Sequence, residues 1–289
     1  MTPVTVVTDT TAYLPDQLID RHSIRLVSLY VMFGPDRIER ECDITDYPAF
    51  FEELRGADAL PTTSQPSVGD FVDVYAPLLG AGSDVVSLHI SSGLSGTVDS
   101  ARQAAEQLER EGKGGERVRV IDSETAAGGL GFTVAAAAVA AGKGADLEQV
   151  AATAAAARAE LKMWFAVDTL EFLRRGGRIG AASAWIGSTL KVKPILTVER
   201  EMSPVERVRT SRRAFERLVD YARQRHESGF DGWAVQHISA PDQAAALIER
   251  CREVFGCEPA FTSEIGPVLS THVGPGLLGV GSVSAHFFE

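Results

Sequence analysis

Apolar, β-branched runs at residues 4–7 and 24–32 flank a helical stretch at 16–22, and similar runs at 84–90 and 117–121 are each followed by helical periodicity, the first over 97–111. Apolar runs alternating with helices predict a parallel, doubly wound α/β sheet. Ligands of such sheets sit outside the carboxyl ends of the strands. The loops at those ends, Thr8-Asp9-Thr10, Ser91-Ser92-Gly93 and Asp122-Ser123-Glu124, are all polar.

A helix over 146–162, with Asp146 as its cap, leads into a strand at 164–168, and the domain boundary is placed there. This divides the chain into a parallel-sheet domain, 1–160, and a second domain, 161–289. In the second, strands are predicted at 194–199, 205–209, 233–238 and 280–287, and helices at 211–227 and 242–255. Two strands joined around residues 200–204 read as a hairpin, so this second sheet is expected to be mixed. The alanine clusters are helical, and the longest, 134–141, is too short to span a bilayer.

With 289 residues, 45% of them hydrophobic and 23% charged, the chain has material for two cores and the balance of an ordinary globular protein. A net charge of −11 argues against non-specific nucleic-acid or anionic-membrane binding by the chain as a whole. The charge is uneven: residues 174–213 carry ten basic side chains against three acidic ones, hence +7 there and −18 elsewhere. Such a segment fits an acidic partner or a phosphate, or simply a solvated surface. Three cysteines without CxxC spacing imply neither a disulfide framework nor a zinc site, and six histidines show no paired ligand spacing, so no metal is expected. The amino terminus runs directly into a strand without a basic, then apolar, leader, and the expected location is the cytoplasm.

Two stretches have the chemistry of an anion site: Pro61-Thr62-Thr63-Ser64-Gln65-Pro66-Ser67 and Ile90-Ser91-Ser92-Gly93-Leu94-Ser95-Gly96-Thr97. The second lies between a predicted strand and a predicted helix, which sets hydroxyls and glycine backbone at a helix N-terminus, where free N–H groups and the dipole favour negative charge. An ordinary capped turn uses the same residues.

Four segments now stand together: Thr63-Ser64-Gln65-Pro66, Ser91 to Thr97, Arg174-Arg175-Gly176-Gly177-Arg178-Ile179, and Ser270-Thr271-His272-Val273-Gly274-Pro275-Gly276. With Val208-Arg209-Thr210, Thr8-Asp9-Thr10, Trp185-Ile186-Gly187 and Leu190-Lys191-Val192-Lys193-Pro194-Ile195-Leu196, their order and spacing over essentially the whole chain resemble the DegV family of bacterial fatty-acid-binding proteins. The resemblance implies a two-domain fold holding one long-chain fatty acid in an apolar tunnel, with the carboxylate at the domain junction. It also implies a role as the lipid-presenting subunit of a fatty acid kinase, in which a separate ATP-binding subunit phosphorylates the carboxylate for phospholipid synthesis. By family position Thr63, His272 and Ser95 or Ser92 would contact the carboxylate, while Arg178 and Arg209 would support phosphoryl transfer or partner docking. The lipid is then a ligand, no cofactor is implied, and membrane contact is at most transient. The extra arginine at 174–175 and the doubled threonine at 62–63 are small departures.

Such a layout is energetically sensible. A tail of about fifteen methylenes at roughly 0.8 kcal/mol each gives on the order of 12 kcal/mol gross on burial. Charge-assisted hydrogen bonds of about 1.5–3 kcal/mol apiece mainly offset desolvation of the head group and fix its position. His272 suits the task because a nearby carboxylate favours its protonated form, and Gly274 and Gly276 let the backbone come close.

Other readings compete. Ser95, Asp122 and His272 follow the chain order of an α/β-hydrolase triad, as in a serine hydrolase of acyl esters, but Thr97 stands where a nucleophile elbow needs its last glycine. Gly128-Gly129-Leu130-Gly131 is an incomplete dinucleotide fingerprint and fits close helix packing better.

Overall fold

The computed structural model describes residues 2–57, 59–185 and 192–289. Its first part runs β1 (Val4–Asp9), α1 (Asp16–Arg21), β2 (Arg25–Val27), β3 (Tyr30–Met32), β4 (Ile38–Arg40), α2 (Tyr47–Gly56), β5 (Thr62–Ser64) and α3 (Val68–Gly80). There follow β6 (Asp84–His89), α4 (Thr97–Arg110), β7 (Val118–Asp122), α5 (Gly128–Gly142) and α6 (Leu147–Glu160). The second part runs β8 (Lys162–Ala166), α7 (Glu171–Arg175), β9 (Lys193–Glu199), β10 (Glu201–Val208), α8 (Ser211–Glu227), β11 (Gly232–His237), α9 (Pro241–Phe255), β12 (Phe261–Glu264), α10 (Pro267–Val273) and β13 (Leu278–Val283).

The first sheet, in the order β2-β1-β6-β7, is parallel throughout, as the alternation of runs and helices requires. One face packs Val7, Val27 and Val85 against Phe71 and Tyr75 of α3 and Ala101, Ala104 and Leu108 of α4. The opposite face packs Val6, Val86 and Leu88 against α5 and α6. The second sheet, in the order β10-β9-β8-β13-β11-β12, is mixed: β11 and β12 are parallel and the other pairs antiparallel. Alternation on its strands sends Trp164, Trp233, Val235 and Val280 to a core under α8 and α9, and Met163, Phe165 and Ile238 to the other side.

Helix α5 joins the two sheets. It is buried from Gly128 to Ala138, and its core includes Val6 and Leu88 of the first sheet with Ala234 and Val283 of the second. A helix walled on all sides has no polar stripe, which explains its run of alanines.

Several expectations change. The run at 24–32 is two strands in different sheets: β2 pairs with β1, whereas β3 joins a small antiparallel sheet, β4-β3-β5. The break falls at Ser28, whose hydroxyl donates to the Leu29 carbonyl and accepts from the Cys42 amide. The hairpin turn predicted over 200–204 is tighter, with Arg200 alone between β9 and β10 in the left-handed region at φ 65°. The final strand stops at Val283, and Ala285–Phe288 forms a 3-10 turn. Asp146 caps α6 as expected, in a reciprocal box with Gln149. The family-like residues 186–191 lie outside the described residues.

Candidate functional site

The turn after β6 is built from below. The buried Asp9 carboxylate at the end of β1 accepts from the Ile90 amide and from His89 Nδ1, both at 3.0 Å, and so fixes where the 91–97 turn begins. Within the turn, the amides of Leu94 and Ser95 return to the Ser91 carbonyl. Ser91 Oγ donates to the Arg200 carbonyl at 2.6 Å, and the Arg200 amide donates to Glu124 O at 2.7 Å, so the β9–β10 tip is pinned onto the first sheet's loops. Asp122 accepts from the amides of Ser92 and Glu124.

These contacts bring the two hydroxyl stretches to one place. Thr63, Ser64, Gln65, Ser95, Arg178 and His272 line one end of a channel. Beyond them the wall is almost wholly apolar, with Ile90, Leu94, Phe165, Leu173, Ile238 and Val268 among its residues. Thr63 Oγ1 and His272 Nε2 share a hydrogen bond of 2.7 Å, and Ser95 Oγ lies 2.9 Å from Thr97 Oγ1. The other ring nitrogen, His272 Nδ1, is buried without a hydrogen-bond partner among the described residues. Gly176 admits the ring, since a Cβ there would stand 2.4 Å from Nδ1. Burial first, and the Arg178 guanidinium second, push the His272 imidazole down to about 4, so it is neutral near pH 7. Arg178 at the mouth donates to the Gly176 carbonyl at 2.8 Å, and its Nε reaches Leu94 O at 3.4 Å.

The remaining sequence candidates lie apart. Ser92 is half-buried and outside the channel wall, with its amide engaged by Asp122. Arg209 is exposed after β10 and does not reach the wall. The hydrolase arrangement is not assembled, because Ser95 pairs with Thr97, His272 with Thr63, and Asp122 with main-chain amides. The described residues contain no cluster of His, Cys, Asp or Glu able to hold a metal ion, and no helix long and apolar enough to cross a membrane.

Sequence reasoning missed the wall. Met163 and Phe165 alternate on β8 toward the channel, a signal present in the sequence, but nothing local distinguishes the channel side from the α8–α9 side. Glu41 was also missed. This buried carboxylate accepts from Tyr13 OH at 2.6 Å, from Thr10 Oγ1 and from the Val268 amide at 2.8 Å, tying the first part of the chain to the helix that carries His272.

Fold and site define an α/β protein of two large sheets and a small third one, with an apolar channel headed by hydroxyls and an imidazole. The DegV family model, "Uncharacterised protein, DegV family", matches residues 3–285, and the chain belongs to that family. It is similar to a DegV domain-containing protein of Streptomyces coelicolor, 41% identical over 280 residues that span 96% of this chain and 97% of that one. It is also 34% identical to protein DegV of Bacillus subtilis, over 96% of this chain and 98% of the relative. Among solved structures, the fatty-acid-binding DegV family protein of Thermus thermophilus superposes with a TM-score of 0.86 at 36% identity, covering 98% of this chain and 99% of that one. The fatty-acid-binding DegV of Bacillus subtilis gives 0.86 at 32% identity, over 98% and 100% of the two chains.

Proposed function

We propose that the protein binds one long-chain fatty acid, tail in the channel and carboxylate against Thr63, Ser95 and His272, and presents that carboxylate to a separate ATP-binding kinase subunit. The observation that carries this reading is the 2.7 Å Thr63–His272 pair standing at the polar end of a largely apolar channel. An anion arriving there meets hydroxyl donors and an imidazole whose proton affinity it raises, while Arg178 at the mouth adds positive charge. Of the two serines weighed from sequence, Ser95 is favoured, because it lines the channel and Ser92 does not.

In the kinase step a carboxylate oxygen would attack the γ-phosphorus of the partner's ATP; the new O–P bond gives an acyl phosphate and ADP departs with the old one. Such chemistry needs positioning and charge neutralisation more than it needs a base. Arg178 would supply that neutralisation, and Arg209, which is exposed, would contact the partner. The protein would thus be a substrate-presenting subunit working in the cytoplasm.

Lipid extraction and native mass spectrometry of the purified protein test the binding. A stoichiometric fatty acid is expected. Protein that is free of lipid and takes none up from a fatty acid mixture would sink the reading.

A further inference from the structure

Gln236 of β11 stands apart in the channel wall. Among the described residues it is the one polar side chain that lines the channel outside the head-group set, and it is 3% exposed. Pairing sets it across from Gly279 of β13, and Gly279 across from Phe165 of β8. Both neighbouring rows are apolar and line the channel too: Ile238 and Leu277 on one side, Met163, Val198 and Met202 on the other. The carboxamide therefore interrupts a wall that is apolar on either side of it.

The orientation of that carboxamide is fixed. The Gly128 amide, the first of α5, can only donate, so Oε1 accepts it and Nε2 turns to Ser263 Oγ, to which it donates at 2.7 Å. A carboxamide carries a pair of N–H groups and a pair of acceptor sites on its oxygen, and among the described residues these contacts use one of each. A spare donor and a spare acceptor remain on a group clamped at both ends. An unsubstituted alkyl tail gives them no partner, which is costly in a dry channel. A hydroxyl on the tail both donates and accepts, and it can satisfy either one without disturbing the clamp.

We propose that Gln236 is a specificity residue that selects fatty acids carrying a hydroxyl part-way along the tail. The proposal rests on the acyl-chain reading of the channel and narrows it to a class of acyl chain. With the carboxylate anchored at the polar end and the carboxamide unable to slide, only a hydroxyl at one depth reaches it. Selection therefore depends on where the hydroxyl stands, not merely on its presence. A site built to hydrogen-bond a substrate hydroxyl discriminates against the analogue lacking it more strongly than an apolar wall discriminates by size.

The test is native mass spectrometry of the purified protein after exchange with equimolar pairs, each pair being stearic acid and one positional isomer of hydroxystearic acid. In wild-type protein one isomer, or neighbouring ones, should outcompete stearic acid by about ten-fold, the worth of a buried hydrogen bond, and isomers hydroxylated well to either side should lose to it. Gln236→Leu keeps the bulk without the polar atoms, so it should still take up stearic acid and show no preferred isomer. Wild-type protein that takes up stearic acid and prefers no hydroxylated isomer overturns the proposal, whatever the variant does. A preference that survives in Gln236→Leu overturns it as well; a residue that only capped α5 would lower the melting temperature and leave the preference where it was. If Gln236→Leu does not fold, Ser263→Ala, which releases the Nε2 end, is read in its place: the preferred positions should spread along the tail, and an unchanged profile overturns the proposal. Wild-type protein that takes up neither stearic acid nor any hydroxylated isomer overturns the acyl-chain reading itself, and the proposal with it.

Discussion

Thr63 and His272 stand 209 positions apart in the chain and 2.7 Å apart in space, and under the proposed function they orient the head group while the apolar wall retains the tail. Tail burial on the order of 12 kcal/mol dominates retention of a lipid, whereas one head-group hydrogen bond is worth about 1.5–3 kcal/mol. Thr63→Ala or His272→Ala should therefore leave most bound lipid in place while acyl phosphate formation with the proposed kinase partner falls by ten-fold or more, on the order of one lost orienting bond. Lipid extraction beside an acyl phosphate assay reads both quantities; equal, large losses would contradict the division. That Thr63, His272 and the turn at 91–97 belong together was legible from their motifs and the family resemblance, whereas the choice between Ser92 and Ser95 was not. Gly176 was legible only as part of an arginine loop, since its use is set by a ring that arrives from α10. Ser92 shows the converse: it shares a motif with Ser95, yet its backbone serves Asp122.

Among the elements, α10 matters most for its size, since seven residues carry Val268, Leu269, His272 and Val273 of the wall. So short a helix is stable only by tertiary support. Glu41 accepts the Val268 amide, and Tyr13 OH accepts the Leu269 amide while donating to Glu41. Burial raises the Glu41 carboxyl from 4.5 to about 7, outweighing the hydrogen bonds that lower it. The native state then holds this proton more tightly than the unfolded chain does. Its stabilising effect is complete below pH ~4.5 and is lost as pH rises to about 7, roughly 3 kcal/mol in all. His272, held down to about 4, works in the opposite sense and loses stability as pH falls below its ordinary 6.5. Glu41→Gln keeps an acceptor and removes the first effect, so its melting temperature between pH 5 and 8 should decline less on the alkaline side than that of wild-type protein. Thermal melts over that range decide the matter, and parallel profiles would show that Glu41 does not titrate there. Long elements such as α4, α8 and α9 were readable from periodicity, but the three-residue strands β3, β4 and β5 and the four-residue β12 offer too few positions for a period to register. The run at 24–32 misled because sheet pairing, not hydrophobicity, divides it at Ser28.

At the scale of the molecule, the fold class and the parallel and mixed sheets were visible in the alternation of runs and helices. The small third sheet and the central burial of α5 were not, because both depend on how the parts close on one another. Within the basic segment, Arg178 lines the channel and Arg209 is exposed after β10. If Arg209 faces the proposed kinase partner, Arg209→Glu should leave bound lipid unchanged and weaken that association several-fold at low salt, as a charge reversal at an interface rim does. Unchanged capture of the subunit in a pull-down would remove Arg209 from that surface. The pin at Arg200 has a consequence of another kind. Ser91 meets the Arg200 carbonyl and Glu124 meets its amide, so the guanidinium takes no part in either bond. Any side chain compatible with a left-handed backbone, asparagine or glycine above all, would hold the halves in the same alignment. Position 200 can thus drift over evolutionary time while the joint it makes persists.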